Sequence, residues 1–317
     1  MILTVTLNMA LDVTYEVPSV DWDGVNRVGA VHRRAGGKGV NVARVLAALG
    51  RQVLVTGLVG GPTGRAIEED LASAGLRSEL CRIAGDSRTT LAVCETAGTP
   101  AHDAGTAAPQ EPGAPHEEVT TRRTALFNEP GPDVTPHELA GFVRRYTSLA
   151  READVVVLSG SLPRGVPADI YATLAGIPDA PVIVDADGDP LRHAPKGRPA
   201  VVKPNAEELA RAFPGGQGAQ EVRSQGAEAV VVSMGADGLL AVTGEGTFRA
   251  RMPYTVVGNP TGAGDALVAG LAMDVGRPWP DRLRRAAALG AAAVAAPVAG
   301  AFDRDVYAAI HPQIVIT

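Results

Sequence analysis

The segment with the most chemical promise is Val257-Gly-Asn-Pro-Thr-Gly-Ala-Gly-Asp265, which runs into a helical pattern with Leu267, Leu271 and Val275 on one face. Its glycines let the backbone aim successive N–H groups at one point. A helix N-terminus adds its dipole, so the segment is a ready anion site. Asp265 falls in the first turn, where a bound phosphate would repel it. That placement suits a general base that takes a proton from an attacking hydroxyl; it also suits a plain helix cap. The segment is not a Walker A loop, because no Gly-Lys-Ser/Thr follows. Nor is it Gly-x-Gly-x-x-Gly, because Gly262-x-Gly264 leads into Asp265-Ala-Leu267.

Ala35-Gly-Gly-Lys-Gly-Val-Asn-Val-Ala-Arg44 opens a second helix. Lys38 and Asn41 are three apart and share a face of its first turn. Gly37 gives the backbone room beside them. The set suits a polyhydroxylated, anionic ligand, or equally a tight turn with solvated polar groups. Val202-Lys-Pro-Asn-Ala-Glu-Glu208 ends a buried strand and starts a helix. Asn205 and Glu208 fit a capping box. Glu208 could also face a hydrated Mg²⁺, which takes one or two carboxylates together with water and phosphate. Further strand ends, Ser159-Gly-Ser161, Asp185 and Ser233-Met-Gly235-Ala-Asp-Gly238, carry the small residues expected at the rim of an α/β crevice.

Of 29 basic residues only Lys38, Lys196 and Lys203 are lysines, and two of these three lie in the segments above. A lysine kept in so arginine-rich a chain points to a place where a compact charge is needed rather than a planar fork. Arg27 and Arg88 are isolated and read as solvated unless a fold gathers them. The six histidines show no metal-ligand spacing, and neither Ser159 nor Ser161 sits in a Gly-x-Ser-x-Gly elbow, which speaks against a serine hydrolase.

These residues need elements to hold them. Apolar runs at Ile2–Leu7, Val53–Val59, Val155–Leu158, Val182–Val184, Val201–Val202 and Val230–Val232 are continuous rather than alternating, as in strands buried on both faces of a parallel sheet. Helical patterns over Gly39–Leu49, Thr63–Ala74, Pro136–Ala150, Ala206–Phe213, Ala263–Val275 and Asp281–Ala296 alternate with them. Gly50 is placed to stop the first. The alternation predicts a doubly wound, mostly parallel α/β sheet with helices on both faces. Two β-rich pairs, Val13–Val17 with Val28–Arg33 and Thr89–Glu95 with Thr121–Asn128, break it. They predict a small antiparallel sheet, reached by two excursions at about 12–34 and 87–130 and placed to act as a lid. Between the members of the second pair, Ala97–Glu118 is rich in Ala, Gly and Pro and reads as a flexible loop.

The chain has 317 residues, is 45% apolar and 20% charged, and carries a formal net charge of −6. This excludes a disordered chain, and no run approaches the roughly 20 apolar residues of a membrane span. The charge balance calls for neither nucleic acid nor an anionic membrane as partner. The first residues read as a strand rather than a signal peptide, and Cys81 and Cys94 cannot make a disulfide framework. Both features predict a cytoplasmic protein.

Taken together, the segments resemble the ribokinase-like, or phosphofructokinase B, family of carbohydrate kinases nearly end to end. The resemblance rests on Thr6-Leu-Asn-Met-Ala-Leu-Asp12, Gly36-Gly-Lys-Gly39 with Asn41, Ser159-Gly-Ser-Leu-Pro163, Lys203-Pro-Asn205 with Glu208, and Asn259-Pro-Thr-Gly-Ala-Gly-Asp265. Asn8-Met-Ala-Leu-Asp12, Asn26-Arg27, Ser87-Arg88-Thr89 and Asn128-Glu-Pro-Gly131 look most like the branch of 1-phosphofructokinase and tagatose-6-phosphate kinase.

The resemblance implies one kinase domain over 1–317 that uses ATP and Mg²⁺ on a phosphorylated ketohexose. Fructose 1-phosphate is the expected acceptor, with tagatose 6-phosphate or an unphosphorylated sugar as alternatives. A sensor that binds without turnover is the rival from a different class. Asp265 would be the base, and the N–H groups of Gly262, Ala263 and Gly264 the anion hole. Asp12 and Asn41 would hold sugar hydroxyls, with Arg27, Gly37, Lys38, Arg88 and Ser161 around the substrate and its phosphate. Lys203, Asn205, Ser233, Gly235 and Gly238 would line the nucleotide site, and Glu208 would organise Mg²⁺. Relatives pair their lids, which implies a homodimer through the lid sheet. Two departures stand out: the Ala97–Glu118 insertion in the lid hairpin, and a shortened Phe213–Gly226 stretch.

Overall fold

The computed structural model describes residues 1–96, 123–216 and 218–317. The Ala97–Glu118 insertion lies outside the described residues. In chain order the elements are β1 (Ile2–Thr6), β2 (Ala10–Val17), β3 (Ala30–Gly36), α1 (Lys38–Ala48), β4 (Val53–Gly60), α2 (Gly61–Ser73), β5 (Ser78–Ile83) and β6 (Arg88–Glu95). Then come β7 (Thr124–Asn128), α3 (Pro136–Ala150), β8 (Val155–Ser159), α4 (Ile170–Ala175), β9 (Val182–Asp185), α5 (Gly188–His193), β10 (Val201–Val202), α6 (Ala206–Ala212) and α7 (Gly218–Ser224). The chain closes with β11 (Val230–Ser233), β12 (Leu239–Val242), β13 (Thr247–Arg251), α8 (Ala263–Met273), α9 (Trp279–Val294), α10 (Arg304–Ile310) and β14 (Val315–Ile316).

Ten strands form one sheet in the order β14-β13-β12-β11-β10-β9-β8-β1-β4-β5. From β11 to β5 every pairing is parallel. The continuous apolar runs have a direct cause: alternate residues of each strand feed two separate cores. Val155 and Val157 pack on one face with α1, α8 and α9, and Val156 and Leu158 on the other with Phe142 and Tyr146 of α3. The strand order reverses at β1, whose neighbours are β4 on one side and β8 on the other. In open α/β sheets that reversal leaves a crevice beyond the strand ends, which is where ligands bind.

Local chemistry sets the helix limits. Thr135 and Glu138 form a capping box ahead of Pro136 in α3. Gly50, at φ 75°, stops α1 as its position in the sequence predicts. The sequence patterns do not anticipate the antiparallel strands β12 to β14, the edge strand β5, or the short helices α4, α5, α7 and α10.

The second sheet has the order β3-β2-β6-β7. Its two outer pairings are antiparallel, as expected, but β2 and β6 pair in parallel. Both strands leave the main sheet after a parallel strand, β1 or β5, so they enter the lid running in the same direction. Strand β3 then runs through Gly36 straight into α1.

Candidate active site

The site lies where the N-termini of α1, α6 and α8 meet the ends of β1, β8 and β9. Gly262, the N-cap of α8, has φ 85°, and a Cβ there would lie 2.9 Å from Ala299 Cα. Glycine is required on both counts. The turn puts Asp265 at the third helical position, 6% exposed, with its Oδ2 accepting a 2.8 Å hydrogen bond from Asn41 Nδ2 of α1. Burial, and secondly the nearby Asp185 carboxylate, raise the Asp265 carboxyl to about 7; Lys38, the Asn41 hydrogen bond and Lys203 act in the opposite sense. A carboxylate poised at that value suits general-base chemistry better than capping, and α8 has no side-chain cap. Of the expected anion-hole donors, Ala263 N–H closes a turn onto the Pro260 carbonyl at 3.2 Å. Among the described residues the N–H groups of Gly262 and Gly264 have no such acceptor.

Asp185, at the end of β9, is the centre of the charge network. Lys38 Nζ is 3.2 Å and Lys203 Nζ 3.4 Å from its Oδ1, while its Oδ2 is buried without a hydrogen-bond partner. Burial pushes this carboxyl up, but Lys203 and Lys38 more than offset that, so it sits below the usual carboxylate range. Lys38 is held well above the usual ammonium range, first by Asp185, against burial, and then by Asp265 and Glu208. The sequence marks Asp185 as a strand end without giving it this role; the same crevice rule applied to paired strand ends finds it, since Ser159 and Asp185 are in register.

Glu208 and Asn205 form a capping box on α6, with Asn205 N–H to Glu208 Oε2 and Glu208 N–H to Asn205 Oδ1 both at 2.8 Å. The other Glu208 oxygen, Oε1, lies 3.9 Å from Lys38 Nζ. The residue thus caps the helix and faces the site. Among the described residues no cluster of three or more His, Cys, Asp or Glu could cage a metal. Glu208 Oε1, loosely paired with Lys38 at 3.9 Å, and the orphaned Asp185 Oδ2 do fit Mg²⁺ arriving hydrated on a nucleotide.

Two cavities flank this network. One, of about 600 Å³, is mainly apolar and is bordered by Asn205, Ser233, Gly235, Gly238, Ala263 and Gly264. The other, of about 660 Å³, is bordered by Gly37, Lys38, Arg88, Ser161, Arg164 and Glu208. Lys203 is 3% exposed and turned to Asp185 beneath the first cavity rather than lining it. At the switch point Asn8 Nδ2, just after β1, donates to Ser161 Oγ at 3.1 Å.

The lid supplies Asp12, whose carboxylate accepts from Thr90 Oγ1. Burial raises its pKa, against the Thr90 hydrogen bond and the charges of Arg88, Arg34 and Arg44. A Cβ on Gly36 would lie 2.0 Å from that carboxylate, so the first glycine of the motif makes room for it. Arg88 Nε donates to the Asn8 carbonyl at 3.3 Å, which ties lid to crevice. Arg27 lies on the exposed link between β2 and β3 and does not border the cavity. Arg164, Arg34 and Asn8 are polar groups here to which the sequence patterns assign no role. Isolated arginines carry no spacing signal, and Asn8 counts only as part of a motif.

The chain matches the pfkB family of carbohydrate kinases over residues 5–111 and 115–304. Among solved structures, it is similar to phosphofructokinase-2 from Escherichia coli in complex with potassium, at 26% identity and TM-score 0.84 over 98% of each chain. The same enzyme in complex with fructose-6-phosphate matches at 26% and TM-score 0.81, again over 98% of each chain. A protein from Thermotoga maritima described as a possible 1-phosphofructokinase matches at 25% identity and TM-score 0.83, covering 100% of this chain and 98% of that one. With the family match spanning nearly the whole chain, and a buried carboxylate at a helix N-terminus near an apolar cavity and a polar one lined by Lys38, Arg88 and Arg164 together with Asp187, Asp189 and Glu208, the protein belongs to the pfkB family of carbohydrate kinases.

Proposed function

We propose that the chain transfers the γ-phosphoryl group of ATP to a hydroxyl of a phosphorylated ketohexose, with fructose 1-phosphate as substrate and fructose 1,6-bisphosphate as product. The observation that carries this reading is the position of Asp265. It lies beside the α8 turn that borders the apolar cavity and is hydrogen-bonded to the helix that presents Lys38 to the polar one. In its ionised form Asp265 takes the proton of the attacking hydroxyl as that oxygen bonds to the γ-phosphorus. The bond to the β–γ bridging oxygen breaks and ADP leaves. The N–H groups of Gly262 and Gly264 face the charge that develops. Lys203 holds Asp185 in place below. Asn205, Ser233, Gly235 and Gly238 receive the nucleotide. Arg88, Lys38 and Ser161 grip the phosphate already on the sugar, and Asp12 and Asn41 take its hydroxyls. Mg²⁺ bound with the nucleotide would be held by Glu208 and the free oxygen of Asp185, and would neutralise phosphate charge.

On this reading one kinase domain spans the chain, with two excursions forming its lid and excluding water from the transfer. ATP and a sugar phosphate as substrates suit the cytoplasm, and among the described residues no helix is long and apolar enough to cross a membrane. Fructose 6-phosphate is the second reading, favoured by the similarity to the Escherichia coli enzyme in complex with that sugar. Tagatose 6-phosphate is the third.

A coupled ADP-release assay over fructose 1-phosphate, fructose 6-phosphate, tagatose 6-phosphate, fructose and ribose tests the proposal. The expected result is turnover of fructose 1-phosphate with the highest kcat/KM. Preference for another sugar phosphate would replace the substrate but keep the phosphate grip. Turnover of unphosphorylated sugars alone would overturn that grip. Equal, negligible rates for wild type and Asp265→Asn would favour a sensor.

A further inference from the structure

We propose that a second anion site, built for a phosphate-class oxyanion, lies at the far end of α8, lined by Asp274, Arg277, Asp281, Arg284, Arg285 and His311. It shares no residue with the kinase site, and the 11-residue helix α8 puts about 16 Å between the two. The cavity is about 220 Å³. That is below the roughly 300 Å³ of the smallest common ligand pockets. At about 30 Å³ per water, it has room for a tetrahedral oxyanion and a few waters.

The donors outnumber the acceptors that engage them. Asp281 Oδ1 takes one nitrogen of Arg284, at 3.3 Å, and Asp274 Oδ2 takes Nε of Arg285. Nε of Arg284 reaches the Ile314 carbonyl at 3.5 Å. Both terminal nitrogens of Arg285 and one of Arg284 remain, and Arg277 has no acidic partner among the described residues. Forked donors converging on a small cavity match an oxyanion, which accepts two parallel hydrogen bonds from one guanidinium.

Asp274 is 5% exposed, and a buried carboxylate stripped of its cation would be costly. Here a second cation is at hand: Arg282, stacked on the Trp279 ring at 3.9 Å, also feels the Asp274 charge, and its Nε and Nη2 are buried without acceptors. Arg285 can therefore meet a ligand with its terminal nitrogens while its Nε stays on Asp274. The field in the cavity has the matching sign. Around His311 lie Arg285, Arg284, Asp274, Asp281 and the Tyr307 ring. Burial lowers the pKa of His311 and the two arginines lower it further, more than the two carboxylates raise it.

The test follows the His311 imidazole by proton NMR, assigned by its loss in His311→Gln, while inorganic phosphate is titrated into the full chain at constant ionic strength. Activity plays no part in this readout, so it stands or falls apart from the kinase reading. The expected result is a rise in the His311 pKa of about one unit at saturating phosphate, since a nearby anion favours the imidazolium. Arg277 is exposed, so Arg277→Ala should fold, and it should weaken the titration on the order of tenfold. Glycerol phosphate separates the sources: tighter binding assigns the site to phosphate monoesters, and equal or weaker binding assigns it to free phosphate. A His311 pKa that moves with neither anion, or that moves with the same affinity in Arg277→Ala, overturns the proposal.

Discussion

The proposed role of Asp265 as base rests on surroundings that work against its charge. A base must be ionised, so kcat/KM should climb with pH up to about 7 and level off above it. Asp265→Asn should lose that limb and about 10²–10⁴ in kcat while leaving KM within a few-fold, measured in the ADP-release assay. The same group carries a stability signature. Its folded-state pKa lies above the ordinary 3.8, so the native protein holds the proton more tightly than the unfolded chain does. Stability is then lost as pH rises from about 4 to 7. Asp265→Asn should therefore be more stable than wild type at pH 8, by on the order of a few kcal/mol in denaturant unfolding, and match it near pH 4. Asn41 favours the ionised form through its 2.8 Å hydrogen bond, so Asn41→Ala should move the activity limb to higher pH; an unmoved limb would show that the contact only packs. Arg88→Ala should weaken a sugar phosphate by ~2–4 kcal/mol, read in KM, and leave an unphosphorylated sugar unaffected. Asp265, Lys38 and Asn41 are legible in the sequence because glycines and helix starts frame them. Asp185 is less so, since a lone aspartate after Val-Ile-Val has no partner within reach of local spacing, and the two lysines that define it arrive from α1 and the end of β10.

At the scale of elements, what is legible follows from what makes each element. Strands buried on both faces write unbroken apolar runs, and long helices write several turns of period, so β1, β4, β8, α3 and α9 can be read directly. Helices of six or seven residues, such as α4, α5 and α10, have too few turns for a period to emerge. Strand β5 pairs on one side alone and is mostly half-buried, so its run Ser-Glu-Leu-Cys-Arg-Ile is broken by polar residues. The parallel pairing at the centre of the lid depends on where two distant excursions leave the main sheet, which no local pattern encodes. At the α6 N-terminus Glu208 caps the helix and has a proposed second duty toward Mg²⁺, and the two can be separated. Glutamine at the same position keeps the capping acceptor but removes the charge. Glu208→Gln should thus change stability by no more than about 0.5 kcal/mol, while the Mg²⁺ concentration for half-maximal activity rises about 10–100-fold. Loss of stability with an unchanged Mg²⁺ requirement would reduce Glu208 to a cap.

The whole molecule poses the question of what covers the lid. Its edge strands leave Val31, Leu126 and Phe127 exposed to 42%, 58% and 50%, and Trp22 and Val25 on the β2–β3 link are more exposed still. Exposed apolar side chains on both edge strands, β3 and β7, invite pairing with another chain. The proposed homodimer through the lid sheet would bury them. It would also carry the exposed β2–β3 link, with Arg27 on it, against a second protomer, where that arginine could serve a phosphate it does not border in one chain. Sedimentation velocity should then give twice the mass of one chain at micromolar concentration. Leu126→Asp places a charge on the β7 edge of that surface and should shift the protein to monomer. Because Leu126 is exposed in the single chain, the variant should keep its melting temperature within a few degrees at low protein concentration. If the lid closes over the sugar only when paired, the monomeric variant will lose affinity for the sugar phosphate and keep its affinity for ATP, since the proposed nucleotide cavity is built from α8, α9, Asn205 and the β11–β13 region and not from the lid. A monomeric wild type with full activity would instead assign these apolar residues to the motion of a lid that works within one chain.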